Sequence, residues 1–150
     1  MWAVGPFGNM VFFDGHSWAA VDSGTTSDLA AVNGLGADRV WVAGQDGVIR
    51  FFDGSTWTQQ MSGLGISFTF RAIAALDSEH VWVVGDTDPA GYGTIYFFDG
   101  SQWSPQASGV KQTLFGVTAP DPLHAWASGD VGTALFGTCP KTQGEAGRGR

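Results

Sequence analysis

Aspartates are the residues of this chain that recur in a pattern able to do chemistry. Asp14, Asp53 and Asp99 each stand directly before a glycine and four residues before a tryptophan. Asp46, Asp86, Asp88 and Asp130 lie in short glycine-flanked segments, and Tyr92 closes the longest of these, Asp86 to Gly93. Paired carboxylates at a defined separation serve glycoside hydrolysis. Carboxylates beside an aromatic ring suit a cationic or hydroxyl-rich partner. Asp86-Thr87-Asp88-Pro89-Ala90-Gly91 also begins like a calcium loop, with Asp at positions 1 and 3 and Gly at position 6. Positions 5 and 12 of such a loop would be Ala90 and Phe97, which offer no side-chain oxygen. We therefore read it as an inserted turn and expect no metal and no cofactor. Arg39, Arg50 and Arg71 fall at three different strand positions and need not converge. His80 and His124 share the place of Arg39, one repeat apart, and read as polar residues at a strand start. Cys139 is the only cysteine, so no intrachain disulfide can form. No P-loop, GxSxG, HExxH or paired CxxC motif occurs.

The elements that must position these residues repeat. One phrase reads Phe12-Phe13-Asp14-Gly15-His16-Ser17-Trp18, then Phe51-Phe52-Asp53-Gly54-Ser55-Thr56-Trp57, then Phe97-Phe98-Asp99-Gly100-Ser101-Gln102-Trp103. A second precedes each copy: Trp2-Ala3-Val4-Gly5, Trp41-Val42-Ala43-Gly44 and Trp82-Val83-Val84-Gly85, with a worn fourth at Trp126-Ala127-Ser128-Gly129. All seven tryptophans belong to these phrases. Successive Trp-x-x-Gly phrases start 39, 41 and 44 residues apart. A period near 40 built from strand and turn residues marks a β-propeller. Four strands can be read per period. The innermost is apolar at residues three apart (Leu29 and Val32, Phe70 and Ile73, Leu114 and Val117). The second is apolar throughout, as a strand buried on both faces must be. The third ends at Asp-Gly, a strong hairpin signal. The fourth opens at tryptophan and is the most polar.

These readings set the expected architecture: all-β, with propeller blades of four antiparallel strands, about three to three and a half of them, as part of a larger propeller. The expected units are a partial blade over 1–27, blades over 28–67 and 68–111, a partial blade over 112–138, and a disordered tail over 139–150. The first unit lacks an inner strand and the last an outer one, which reads as a truncated chain. Open faces at both ends are then expected to expose apolar surface and to promote self-association. Trp2, Trp18, Trp41, Trp57, Trp82, Trp103 and Trp126 read as structural, and so do Asp14, Asp53 and Asp99, since Asp before Gly makes turns. A ligand role for those three acids is the alternative.

Laid out as Val40-Trp41-Val42-Ala43-Gly44-Gln45-Asp46-Gly47-Val48-Ile49-Arg50-Phe51-Phe52-Asp53-Gly54-Ser55-Thr56-Trp57, the repeat resembles the BNR/photosystem-assembly-factor type of propeller repeat. It equally resembles the sensor repeats of two-component-regulator propellers. The shared pattern is W-x-x-G, G-x-[IL], F-D-G-x-x-W, and the likeness covers about residues 1–136. It implies a non-enzymatic binding or scaffold module whose partner is a protein or a carbohydrate. The alternatives it implies are a piece of a sialidase-like hydrolase or the sensor of a two-component regulator. With the few lysines, it implies an extracellular, periplasmic or cell-surface setting.

Bulk composition narrows the partners. Net charge is −7, from 12 Asp and 2 Glu against 7 Lys and Arg. An acidic chain is a poor match for a phosphate backbone, so no nucleic-acid partner is expected. No apolar run is long enough to span a membrane. Variable loops on a rigid frame are where binding residues gather. The expected ligand site is therefore Asp46, Asp86, Asp88, Tyr92 and Asp130, at the end opposite the Asp-Gly turns.

Overall fold

The computed structural model describes residues 1–61 and 67–138. Its strands form four antiparallel sheets, each a simple up-and-down run in chain order. The first holds β1 (Trp2–Val4), β2 (Met10–Phe13) and β3 (Trp18–Ala20). The second holds β4 (Leu29–Gly34), β5 (Val40–Gly44), β6 (Ile49–Phe52) and β7 (Trp57–Met61). The third holds β8 (Phe70–Ala75), β9 (Val81–Thr87), β10 (Gly93–Phe98) and β11 (Trp103–Gln106). The fourth holds β12 (Leu114–Asp121), β13 (His124–Gly129) and β14 (Ala134–Thr138). Cys139 and the tail over 139–150 lie outside the described residues.

The two repeated phrases make one unit by strand pairing. Trp2, Trp41, Trp82 and Trp126 stand directly opposite Phe12, Phe51, Phe97 and Phe136. In all four pairs the ring centroids are 4.6 Å apart. Cross-strand aromatic pairs of this kind fix register. The fourth sheet keeps the pair although its Phe-Asp-Gly phrase is gone, and β14 runs for five residues.

The three-residue apolar spacing of the inner strands has a physical cause. Each pairs with its neighbour through a bulge: Leu29 and Ala31 oppose Gly44 and Ala43, Phe70 and Ala72 oppose Gly85 and Val84, and Leu114 and Gly116 oppose Gly129 and Ser128. One extra residue breaks the alternation of period two. Leu29 and Val32 then reach the same cluster, as do Phe70 and Ile73.

Sheets cover one another face to face. Between the first and second lie Met10, Leu29, Val42 and Val48, with Trp57 edge-on to Trp2 at 5.4 Å. Between the second and third lie Trp41, Ile49, Phe70, Val83 and Phe98. There Gln60 Oε1 accepts hydrogen bonds from both Trp41 Nε1 (3.1 Å) and Trp103 Nε1 (3.0 Å). Between the third and fourth lie Trp82, Phe97 and Ala125, and beside them Val84, Leu114 and Ala127. Burying each large side chain in these layers contributes roughly 1.5–3 kcal/mol. The end sheets are less covered: Trp18 of the first, and Phe115, Trp126 and Phe136 of the fourth, stay about half exposed. No helix among the described residues is long and apolar enough to cross a membrane.

Candidate functional site

The strand order sends every turn to one of two ends. At one end, the Asp-Gly loops meet the turns that join the inner strands to their neighbours, so Gly54 lies against Asp38 and Gly100 against Glu79. The chemistry at this end is internal. Asp14 Oδ1 accepts the N–H groups of His16 and Ser17, Asp53 Oδ1 those of Ser55 and Thr56, and Asp99 Oδ1 those of Ser101 and Gln102, all at 2.7–2.9 Å. Each carboxylate is thereby engaged in holding its own turn. Asp77 and Asp121 do the same one turn away, and each also meets a histidine ring nitrogen, His80 Nδ1 and His124 Nδ1, at 2.8 Å. The histidines are thus tied locally. The repeated Asp-x-x-His at 77–80 and 121–124 was a readable signal for these pairs.

Hydrogen bonds to the charged form hold these acids below the ordinary carboxylate range. The N–H of Ser17 is the main cause for Asp14, that of Thr56 for Asp53, and the hydroxyl of Ser101 for Asp99. A folded value below the unfolded one means a stabilising contribution that is complete above the unfolded value and vanishes as pH falls through the folded one. Thermal stability is therefore expected to hold above about pH 5 and to fall below about pH 4. Changing Asp53 and Asp99 to Ala should lower the midpoint at pH 7 and flatten the acid limb. An unchanged acid limb in a differential scanning calorimetry series would remove these turns as its source.

The other end carries the candidate site. The hairpin turns Gln45–Gly47 and Asp130–Gly132 put Asp46 and Val131 at φ 58° and 56°, in the left-handed region. Phe7 occupies the same place with φ 57°. This is the twist-matched hairpin turn, in which Asp46-Gly47 is a favoured pair and a β-branched Val131 is strained. Asp46 and Asp130 are exposed, each on its own turn. Asp86 corrects the sequence reading. It is not in a loop but in β9, where it forms a two-pronged ion pair with Arg71 of β8, Nε to Oδ1 at 2.8 Å and Nη2 to Oδ2 at 2.9 Å. The insertion lengthens the β9–β10 hairpin, and the turn itself begins at Asp88, whose N–H donates to Tyr92 O. Arg50, by contrast, donates to Gly24 O and Trp57 O, so Arg50 and Arg71 serve different sheets.

Of the five predicted residues, the structure brings Asp88 and Tyr92 together. They line a groove of about 320 Å³ with Phe68, Thr94, Tyr96, Gln106 and Ser108. Asp88 Oδ1 accepts the Tyr92 N–H at 2.9 Å, and Lys111 Nζ sits 5.9 Å from the Tyr92 ring centre. Burial, and secondarily the Asp88 charge, raises the Tyr96 hydroxyl above its ordinary value. Tyr96 is therefore a neutral donor at physiological pH, beside a carboxylate acceptor. Sequence reasoning missed Tyr96 and Phe68. Tyr96 stands in β10 where β6 has Arg50 and β2 has Val11, so no repeat marks it. Among the described residues, no three of His, Cys, Asp or Glu gather closely enough to hold a metal ion. No protein-family model matches the chain, and no curated protein matches it.

Proposed function

We propose that the chain is a run of about three to three and a half β-propeller blades, of the BNR-like or two-component-regulator type, acting as a non-enzymatic binding or scaffold module. The repeated tryptophans, glycines and Asp-Gly turns make a rigid frame, and the lengthened β9–β10 hairpin adds the one inserted feature. Its groove carries the reading. Two tyrosine rings, a neutral phenol donor, one carboxylate and the polar groups of Gln106 and Ser108 suit a hydroxyl-rich ligand such as a carbohydrate. Aromatic faces stack on sugar rings, while carboxylates and amides take the hydroxyl hydrogens. Asp88 is the single carboxylate among the residues that line it. Glycoside hydrolysis ordinarily places two carboxylates across the bond, so this groove favours binding over the hydrolase alternative.

Isothermal titration of the chain with a panel of mono- and oligosaccharides tests this. A saturable ligand should lose at least about tenfold in affinity on Tyr92→Ala or Asp88→Ala, or about 1.4 kcal/mol. Asp53→Ala and Asp99→Ala should leave it unchanged. The opposite pattern would move the site to the Asp-Gly end.

A further inference from the structure

The groove beside the β9–β10 hairpin is charged as well as aromatic. Among the described residues that line it, Asp88 is the only one with a formal charge. Asp88 is partly buried, and among the described residues it forms no ion pair. Its Oδ1 accepts the Tyr92 N–H at 2.9 Å, while its Oδ2 accepts no hydrogen bond from them. A partly buried carboxylate without a cation is unfavourable, and a ligand that brings a positive group to it relieves the penalty.

Three aromatic rings share the groove with this carboxylate. Phe68 and Tyr96 lie with ring centroids 6.5 Å apart, and Tyr92 is the exposed one, at 44%. Burial raises the Tyr96 hydroxyl and the Asp88 charge adds to the effect, so ring and carboxylate are close neighbours. Aromatic faces carry negative partial charge and attract ammonium groups within about 6 Å. One such contact is already made: the exposed Lys111 holds its Nζ 5.9 Å from the Tyr92 ring centre, with no carboxylate partner among the described residues. The chain as a whole, at net charge −7, draws cations toward the groove rather than anions.

We propose that the groove selects an amino sugar, a hydroxyl-rich ring whose ammonium meets Asp88 Oδ2 and the faces of Tyr92 and Tyr96. This rests on the saccharide reading above and adds the charge of the ligand to it. A neutral sugar gives the carboxylate hydroxyl partners alone. A uronic acid sets a second carboxylate against the first. An ammonium makes the hydrogen bond charge-assisted, which roughly doubles its strength. Lys111 places a competing positive charge beside Tyr92 and so weakens the preference without reversing it.

Isothermal titration of the full 150-residue chain with four trisaccharides of one linkage tests this. They are built from glucosamine, N-acetylglucosamine, glucose and glucuronic acid, and are compared at about pH 6, below the ordinary range of amino groups. The glucosamine form should bind at least about tenfold tighter than the glucose form. The N-acetyl form, whose nitrogen carries no charge, should fall back to the glucose value, and the glucuronic form should bind weakest. Asp88→Asn keeps an oxygen acceptor for the Tyr92 N–H but removes the charge, and should bring the glucosamine-to-glucose ratio close to one. Lys111→Gln should raise that ratio. Equal affinity for the glucosamine and glucose forms, or tighter binding of the glucuronic form, would overturn the proposal and leave the saccharide reading in place. A preference undiminished in Asp88→Asn would overturn it too, and binding of none of the four would overturn both. The four-ligand comparison uses the unmodified chain and does not depend on how the variants fold.

Discussion

Trp41→Ala is expected to cost about 3–5 kcal/mol of folding stability. Trp41 is 1% exposed, stacks against Phe51 and donates to Gln60 in the layer between the second and third sheets. Truncation opens a cavity in a layer that both sheets share, and it leaves Gln60 with Trp103 alone. Trp126→Ala is the internal control. It makes the same 4.6 Å pair with Phe136, yet Trp126 is 50% exposed because nothing described covers that face. Its loss should cost under about 1 kcal/mol, in line with exposed sites. Denaturant melts of the two variants compare one repeat position in covered and uncovered sheets. Equal losses would mean that stacking between sheets is not what holds the tryptophans.

Gly44→Ala and Gly85→Ala should be comparably damaging, at about 3 kcal/mol or more. The cause is close approach, since Gly44 itself is fully extended with φ −175°. The Asp28 carbonyl oxygen accepts the Gln45 N–H at 2.8 Å, and that bond presses it against Gly44. A Cβ on Gly44 would lie 2.0 Å from this oxygen, and one on Gly85 would lie 2.2 Å from Thr69 O. Backbone cannot yield there as a flexible side chain could. Gly5 occupies the same place in the first sheet, which lacks an inner strand, and its Cβ would meet nothing within 4 Å. Gly5→Ala is therefore expected to change stability by less than about 0.5 kcal/mol. Thermal melts of the three variants read this directly. A tolerated Gly44→Ala would show that the inner strand sits farther from its neighbour than described.

This glycine pattern also shows how far the sequence was legible. Trp-x-x-Gly could be recognised as a repeat because the same contact recurs in each complete sheet, so the same residue is required. Strand positions followed from the aromatic pairs for the same reason. The three-apart spacing of the inner strands departs from the period of two that a strand should show, and only the bulge, a property of the paired strands, explains it. Asp86 was misplaced because its partner Arg71 lies across the β8–β9 pairing, 15 residues away. No local signal separates a lengthened hairpin from an inserted loop there. The groove was half legible. Asp88 and Tyr92 stand out on an insertion, whereas Tyr96 lies in β10 and Phe68 just before β8, and only the pairing of the third sheet's strands brings these distant stretches to one groove.

The division of labour between frame and groove is tested most directly by mapping a bound saccharide with two-dimensional amide NMR. Titration with the tightest-binding sugar of the panel should shift the amides of Asp88, Tyr92, Thr94, Tyr96 and Ser108 and leave those of Ser55, Thr56, Ser101 and Gln102 in place. Shifts confined to the latter four, beside Asp53 and Asp99, would contradict the account and make the Asp-Gly turns the binding end.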